Sequence, residues 1–129
     1  MTRVTILHLG NEVQDSGICS IIQHLVQRLG QQKYSWHIGG LRGIGEVQGE
    51  FSRLGMQIAD FSDRRDGSRS VVGRIRDYVS AHQISIIHTH SPRTRLAAAR
   101  VLMGTHRALH LATEHLLYTP RDRRWGLIY

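Results

Sequence analysis

Short apolar runs alternate along the chain with longer stretches in which apolar residues recur at helical spacing. Residues 3–9 form a mostly apolar, β-branched run that is typical of a strand buried on both faces. A helix is predicted next, capped by Asp15 or Ser16 and ended by Gly30. Its apolar stripe, spaced by three and four residues, consists of Ile18, Ile21, Ile22, Leu25, Val26 and Leu29.

The same alternation continues along the rest of the chain. Strands are predicted over residues 33–41, 56–61, 84–90 and 108–114, and helices over 46–54, from Ser70, and from Ser91-Pro92, where proline suits the first helical position. The order β-α-β-α-β-α-β-α-β predicts an α/β fold with a doubly wound, Rossmann-like parallel sheet and helices on both faces. We expect this sheet to be incomplete at its C-terminal end.

Composition agrees with one globular domain over residues 1–129, because 40% of the residues are hydrophobic and 21% are charged. The lone Cys19 excludes an intramolecular disulfide framework and a multi-cysteine zinc site. It is predicted at the polar edge of the first helix, and no nucleophile motif accompanies it. No apolar run approaches the about 18 residues that span a bilayer, and no signal peptide is evident, so a cytoplasmic location is expected.

The net charge of +7 comes mainly from the last third of the chain. Residues 91–129 contain seven basic and two acidic side chains, whereas residues 1–90 contain ten and eight. Such a surface suits an anionic lipid surface, a phosphorylated small molecule or nucleic acid. A basic nucleic-acid-binding module is therefore one alternative, although aromatic residues are only 6% and no nucleic-acid-binding motif is visible.

Ligands of open parallel sheets bind at the carboxyl ends of the strands, which selects the loops 10–17, 89–95 and 114–121. In the first loop, Ser16 and Gly17 lie at a predicted helix N-terminus, where backbone N–H groups favour an anion or a hydroxyl group. The loop lacks the G-x-G-x-x-G fingerprint, so a classical NAD site is not expected and no cofactor is predicted. A flexible turn is predicted for the second glycine cluster, Gly39, Gly40, Gly43 and Gly45.

The second loop, HTHSPRTR, has the largest concentration of chemically useful side chains. His88 and His90 are two residues apart and project from one face if the strand continues. His90, Ser91 and Arg93 are expected at the strand end and the start of the next helix. This partly positive helix end suits a hydroxylated or anionic ligand.

In the third loop, Glu114 and His115 end the fifth predicted strand, which is adjacent to the fourth, so His115 can approach His90. These two histidines with His88 and Glu114 have the ligand types of a zinc site, which gives a small metal-dependent hydrolase as a further alternative. The competing interpretation is a polar pocket for a sugar or phosphate. We favour the polar pocket and predict no metal.

One resemblance covers essentially the whole chain. The segment IIHTHSPRTRLAAARVL, followed by ATEH, resembles the N-terminal lobe of family 4 glycosyltransferases. The strand RVTILHLG, the helix from Gly17 and the strand GMQIADF occur in the matching order. The resemblance implies a retaining, hexosyltransferase-type enzyme of two-lobed GT-B architecture that uses a nucleotide-sugar donor and needs no metal.

The resemblance also implies roles for particular residues. His115, in the element Thr113-Glu114-His115, would be the catalytic residue of the cleft. The HTHS element, His88 to Ser91, would line the acceptor side. Acceptor contacts are accordingly expected from six residues: Ser16, Gly17, His90, Ser91, Arg93 and Glu114. A glycine pair of the family approaches the donor phosphates, and here Gly17 matches while Ser16 replaces the other glycine.

By the same resemblance, the chain would be a truncated acceptor-binding lobe that lacks the donor-binding domain and is inactive alone. Its acceptor would be hydroxylated or phosphorylated, lipid-linked acceptors included. The basic last third would then lie against the anionic inner face of the membrane, and no nucleic-acid partner is expected.

Overall fold

The structure, a computed structural model, describes residues 3–14, 17–62, 70–104 and 107–115. Strands and helices alternate through these residues in the predicted order. They are β1 (Val4–Gly10), α1 (Gly17–Leu29), β2 (Tyr34–Gly40), α2 (Gln48–Arg53), β3 (Gln57–Asp60), α3 (Val71–Ala81), β4 (Ile86–Thr89), α4 (Pro92–Met103) and β5 (Leu109–Ala112). Each element lies within or next to the range expected from its pattern.

The five strands form one parallel sheet in the order β3-β2-β1-β4-β5. From β1 the chain first builds outward through β2 and β3, then returns to place β4 on the other side of β1. The doubly wound, Rossmann-like prediction is therefore confirmed. The strand order reverses between β1 and β4, and such a switch point opens a crevice at the carboxyl ends of the strands.

Apolar residues cover both faces of the sheet. Alternate residues of β1 point to opposite sides, with Ile6 on one and Leu7 and Leu9 on the other. The face with Ile6 packs against α1 and α2 through Cys19, Ile22, Val26 and Phe51. The opposite face packs against α3 and α4 through Ile75, Val79, Ala97, Ala98 and Val101. Both faces are buried, as the near-continuous apolar strands predicted.

The buried face of α1 is rotated from the predicted stripe. Ile21 and Leu29 belong to that stripe, yet they are 49% and 46% exposed. Cys19, predicted at the polar edge, is buried together with Ile22 and Val26. The residues of α1 that pack into the core against the sheet are Cys19, Ile22 and Val26. The predicted apolar stripe is wider than this buried face, and the sequence pattern could not show which side of the stripe faces solvent.

A serine side chain begins α3, as the sequence predicted. Ser70 is the N-cap, and its Oγ accepts a hydrogen bond from the N–H of Gly73 at 3.0 Å. Ser70→Ala is expected to lower the free energy of unfolding by about 1 kcal/mol, because that N–H loses its capping partner. Urea unfolding measures the change. Ser80→Ala, at an exposed position of the same helix, is the control, and an equal loss in both variants would contradict the capping role.

Candidate active site

Histidines from β1 and from the end of β4 meet at the switch point of the sheet. The register of the two parallel strands pairs His8 with His88 directly, so both side chains leave the same face. His90 follows two residues later and adds a third imidazole. With His115 after β5, these residues form a group that we call the imidazole cluster: His8, His88, His90 and His115.

Hydrogen bonds connect three members of the imidazole cluster in a row. The Nδ1 atom of His8 lies 3.0 Å from Nε2 of His90, and Nδ1 of His90 lies 3.0 Å from Nε2 of His115. Each neutral imidazole has one N–H donor and one acceptor nitrogen. Both nitrogens of His90 are therefore engaged, and the row runs from the buried strand β1 to the end of β5.

His88, the fourth member of the cluster, is hydrogen-bonded to the residue that follows β5. The His88 Nε2 atom lies 2.7 Å from the Oγ1 of Thr113, whose own N–H donates to the carbonyl of Thr89 at 3.0 Å. This bond continues the ladder between β4 and β5 beyond the last paired residues. It places Thr113, and with it the nearby His115, beside the end of β4.

A capping box fixes the backbone where β4 turns into α4. The Ser91 Oγ accepts from the N–H of Thr94 at 3.3 Å, and the Oγ1 of Thr94 accepts from the N–H groups of Ser91 and His90 at 3.1 and 3.3 Å. These reciprocal bonds set the direction in which His90 leaves the chain.

Burial keeps His8, His88 and His90 neutral near pH 7. It is the largest cause of a pKa well below the usual value for His8 and of a pKa of about 3 for His90. Neighbouring imidazoles lower both further, because two positive charges at this separation repel. The pKa of His88 is lowered too, first by burial and then by His115 and His110. Neutral imidazoles offer lone pairs that can bind a metal ion, whereas a pKa as low as that of His90 makes taking up a proton near pH 7 unfavourable.

One atom of the cluster is unsatisfied. His8 is fully buried, and its Nε2 has no hydrogen-bond partner among the residues that the structure describes. The ring of His8 lies nearly parallel to that of Trp36, with 5.8 Å between their centroids. A buried nitrogen without a partner is costly.

A cavity of about 350 Å³ adjoins His90 and Ser91. Residues 10–14, the loop after β1, form much of its wall, and Ile18, Cys19 and Ile22 of α1 contribute apolar side chains. The loop is held in place by the loop after β2. Backbone hydrogen bonds join the two loops. The N–H groups of Leu41 and Arg42 donate to the carbonyls of Gly10 and Asn11, Val13 N–H donates to the Gly43 carbonyl, and Gly45 N–H donates to the Val13 carbonyl. Arg42 also lines the cavity and brings a cation to it.

The structure brings some of the predicted site residues together and separates others. His90 and Ser91 line the cavity, and His115 reaches His90 across the end of the sheet, as expected. Arg93 is exposed on α4, and the carboxylate of Glu114 pairs with Arg95.

Two of the predicted acceptor-binding residues, Ser16 and Gly17, belong to the loop after β1 and the start of α1. Gly17 begins α1 at an exposed position and is not among the residues that line the cavity. Ser16 lies outside the described residues.

His8 is not among the site residues predicted from the sequence. The signal was a histidine inside an apolar strand, two residues before the strand ends, at a position where a polar side chain needs a buried partner. The partner is more than eighty residues away along the chain, so only the order of strands could have identified it. Gly39 and Gly40 were also misjudged, because they lie in β2 rather than in a flexible turn.

Comparison with known proteins identifies a fold rather than a family. No protein-family model matches the sequence, and no curated protein matches it. Among solved structures, formyltetrahydrofolate deformylase from Burkholderia mallei is similar, with a TM-score of 0.51 at 14% sequence identity. The match covers 84% of this chain and 37% of that chain, so our chain spans little more than a third of its neighbour's length.

The solved neighbour is a deformylase, and this finding overturns the glycosyltransferase prediction. The prediction of an acceptor-binding lobe was wrong. The predictions of a nucleotide-sugar donor, of a hydroxylated or phosphorylated acceptor and of a membrane surface were wrong with it. The HTHS and T-x-H motifs are short, and in the structure they perform local tasks: Ser91 caps α4 and His88 bonds Thr113. The strand and helix order around them occurs in folds with many unrelated functions.

In the part of the chain that the structure describes, no helix is both long enough and apolar enough to cross a membrane. Three of the seven basic side chains in the last third, Arg121, Arg123 and Arg124, lie beyond residue 115 and so outside the described residues.

Proposed function

We propose that the imidazole cluster and the adjoining cavity form the active site of a hydrolase that cleaves a small formyl amide. The observation that carries the proposal is the position of His90. Its ring lines the cavity and is hydrogen-bonded on both sides, to His8 and to His115. A molecule or ion in the cavity reaches a nitrogen of His90 by replacing one of these two partners, while the other keeps the ring in its orientation.

The reaction needs a water molecule activated beside the carbonyl group. The water oxygen forms a bond to the formyl carbon, and the carbon–nitrogen bond then breaks. One water proton ends on the leaving amine nitrogen and the other is released, so formate and an amine are the products. The imidazole cluster supplies the group that activates the water, and burial in the cavity wall limits competing solvent.

The substrate class comes from two supports. The structurally similar protein is named for removing a formyl group from formyltetrahydrofolate, which is an analogy of fold only. The cavity of about 350 Å³ is at the small end of ligand sites, so it suits the reacting end of a substrate. Arg42 at its wall can bind a carboxylate elsewhere on that molecule, and Glu12, also at the wall, can accept a hydrogen bond from an N–H group. A cytoplasmic location stays a prediction.

Formate release tests the proposal. The purified chain is incubated with formyltetrahydrofolate, and separately with N-formyl amino acids, and formate is quantified over time. We expect formate from at least one of these compounds and a loss of about 10²-fold or more in His90→Gln, since a positioned proton-transfer group contributes about that much.

His24→Gln is the matched control, because His24 is exposed on α1 and is not among the residues that line the cavity. Circular dichroism confirms that each variant is folded. His115→Gln is expected to give an intermediate loss, since it removes one of the two partners of His90. No formate release by the unmodified chain, or equal rates in the His90 and His24 variants, would overturn the proposal.

A further inference from the structure

We infer that His8, His88 and His90 bind one divalent transition-metal ion of the zinc class at the switch point between β1 and β4. The inference deepens the proposed function and rests on it for what the ion does, though not for whether the ion binds. It names how water is activated at this site, because a bound metal ion lowers the pKa of its water.

The placement of the three imidazoles suits a shared ion. Each side chain is buried, and one ligand nitrogen from each lies within 4.8 Å of those of the other two. Nitrogen ligands about 2.0–2.1 Å from zinc in a tetrahedral site are about 3.3 Å from one another. The 3.0 Å between His8 Nδ1 and His90 Nε2 is close to that spacing, and the ligand nitrogen of His88 lies within 4.8 Å of the other two.

The other ring nitrogens have the partners that metal-bound histidines usually have. The second nitrogen of such a histidine normally donates to a polar group, which fixes the ring and the tautomer. His90 Nδ1 contacts His115, and His88 Nε2 contacts the hydroxyl of Thr113. If both donate, the lone pairs of His90 Nε2 and His88 Nδ1 are left for the ion.

His8 differs from the other two histidines in its second nitrogen. Its Nδ1 faces His90 and is the nitrogen available to the ion. Its Nε2, on the other side of the ring, is buried without a partner among the described residues, so the usual outer contact of a metal-bound histidine is missing there.

The ligand chemistry selects the ion. Imidazole nitrogens suit zinc, copper, nickel, cobalt and iron, whereas Ca²⁺ and Mg²⁺ take oxygen ligands. Three protein ligands leave a further position for water or substrate, as in catalytic zinc sites. The adjoining cavity, lined by His90, gives access to that position.

Metal binding is measured on the full chain without any substrate. The protein is treated with a chelator, dialysed, and titrated with Co²⁺ and with Zn²⁺, with Mg²⁺ as the comparison. We expect one Zn²⁺ per chain by calorimetry, a visible absorption band from bound Co²⁺ in tetrahedral coordination, a higher melting temperature with Zn²⁺, and no saturable binding of Mg²⁺.

Variants identify the ligands. His88→Gln and His90→Gln, checked for folding by circular dichroism, are expected to lose at least 10²-fold in Zn²⁺ affinity. His115→Gln should lose about 10-fold to 10²-fold, since it removes a partner of a ligand, and His24→Gln should bind as the unmodified chain does. If either ligand variant fails to fold, the Co²⁺ spectrum and stoichiometry of the unmodified chain still decide.

The outcomes separate this inference from the proposed function. Absence of saturable Zn²⁺ binding by the unmodified chain overturns the inference, as does unchanged affinity in both ligand variants. Formate release that persists at full rate in excess chelator, with no metal bound, overturns the ion's role in activating water while supporting the hydrolase. Stoichiometric Zn²⁺ binding without formate release supports the metal site and contradicts the hydrolase.

Discussion

Gly40→Ala is expected to lower the free energy of unfolding by about 3 kcal/mol, because β2 has no room for a side chain at this position. A Cβ atom at Gly40 would lie 2.1 Å from the carbonyl oxygen of Gly43 and 3.4 Å from a methyl group of Val13. The first neighbour is backbone and cannot rotate away. Inserting atoms into packed structure costs about 1–3 kcal/mol, and a backbone clash falls at the upper end.

The clash also has a consequence for the candidate active site. The loop that contains Gly43 holds the loop after β1 through backbone hydrogen bonds, and that second loop forms the cavity wall. Displacing Gly43 therefore displaces the wall next to Val13. In a variant that still folds, we expect formate release to fall along with stability.

Gly49→Ala is the matched control. Gly49 lies in α2, and a Cβ there would meet only an Arg53 side-chain nitrogen at 3.9 Å. Alanine is favoured over glycine inside helices, so we expect a gain of about 0.5–1 kcal/mol. Urea unfolding of both variants at pH 7 provides the comparison. A Gly40 variant as stable as the unmodified chain would contradict the prediction, because it would show that the loop containing Gly43 moves away with no loss of stability.

The fold was predictable because its signals are local. Apolar strands buried on both faces and helices with one apolar face are evident in short windows, and their alternation is enough to predict a parallel sheet. What escaped prediction depends on neighbours that are distant in sequence. The exposure of Ile21, the burial of Cys19 and the tight packing around Gly40 all follow from which element lies against each residue.

The candidate site divides in the same way. The meeting of His90 and His115 was predictable, since they follow neighbouring strands and parallel strands end at one edge. The contact between His8 and His90 was not predictable. It forms because the strand order reverses and places β4 beside β1. The family resemblance failed because its residues have structural partners in this fold, and a short motif cannot distinguish such partners from a ligand.

A second group of titratable side chains lies on the other face of the sheet. His37 of β2 is buried against α3, where its Nδ1 lies 2.6 Å from the hydroxyl oxygen of Tyr78 and its ring 5.2 Å from that of His82. Burial, and secondarily the His82 imidazole, lowers the pKa of His37 to about 4. Burial raises the pKa of Tyr78 to about 12, so the phenol stays neutral in acid.

His37 is therefore expected to make the fold sensitive to acid. Its pKa is about 6.5 in the unfolded chain and about 4 in the folded chain, so the unfolded state takes up the proton first as pH falls. The contribution of neutral, buried His37 to the free energy of unfolding is complete above pH 6.5 and is lost between pH 6.5 and about 4. Between pH 7 and pH 5 this single group accounts for about 2 kcal/mol of lost stability.

His37→Asn isolates that contribution, because an amide can still pair with the Tyr78 hydroxyl but does not titrate. Urea unfolding at pH 7 and pH 5 should show that the unmodified chain loses about 2 kcal/mol more than the variant over this interval. Tyr78→Phe removes the hydrogen bond and leaves His37 buried beside His82. Because burial and then the His82 imidazole cause the lowered pKa, the Tyr78 variant should keep the acid sensitivity, and losing it would instead assign the effect to the hydroxyl.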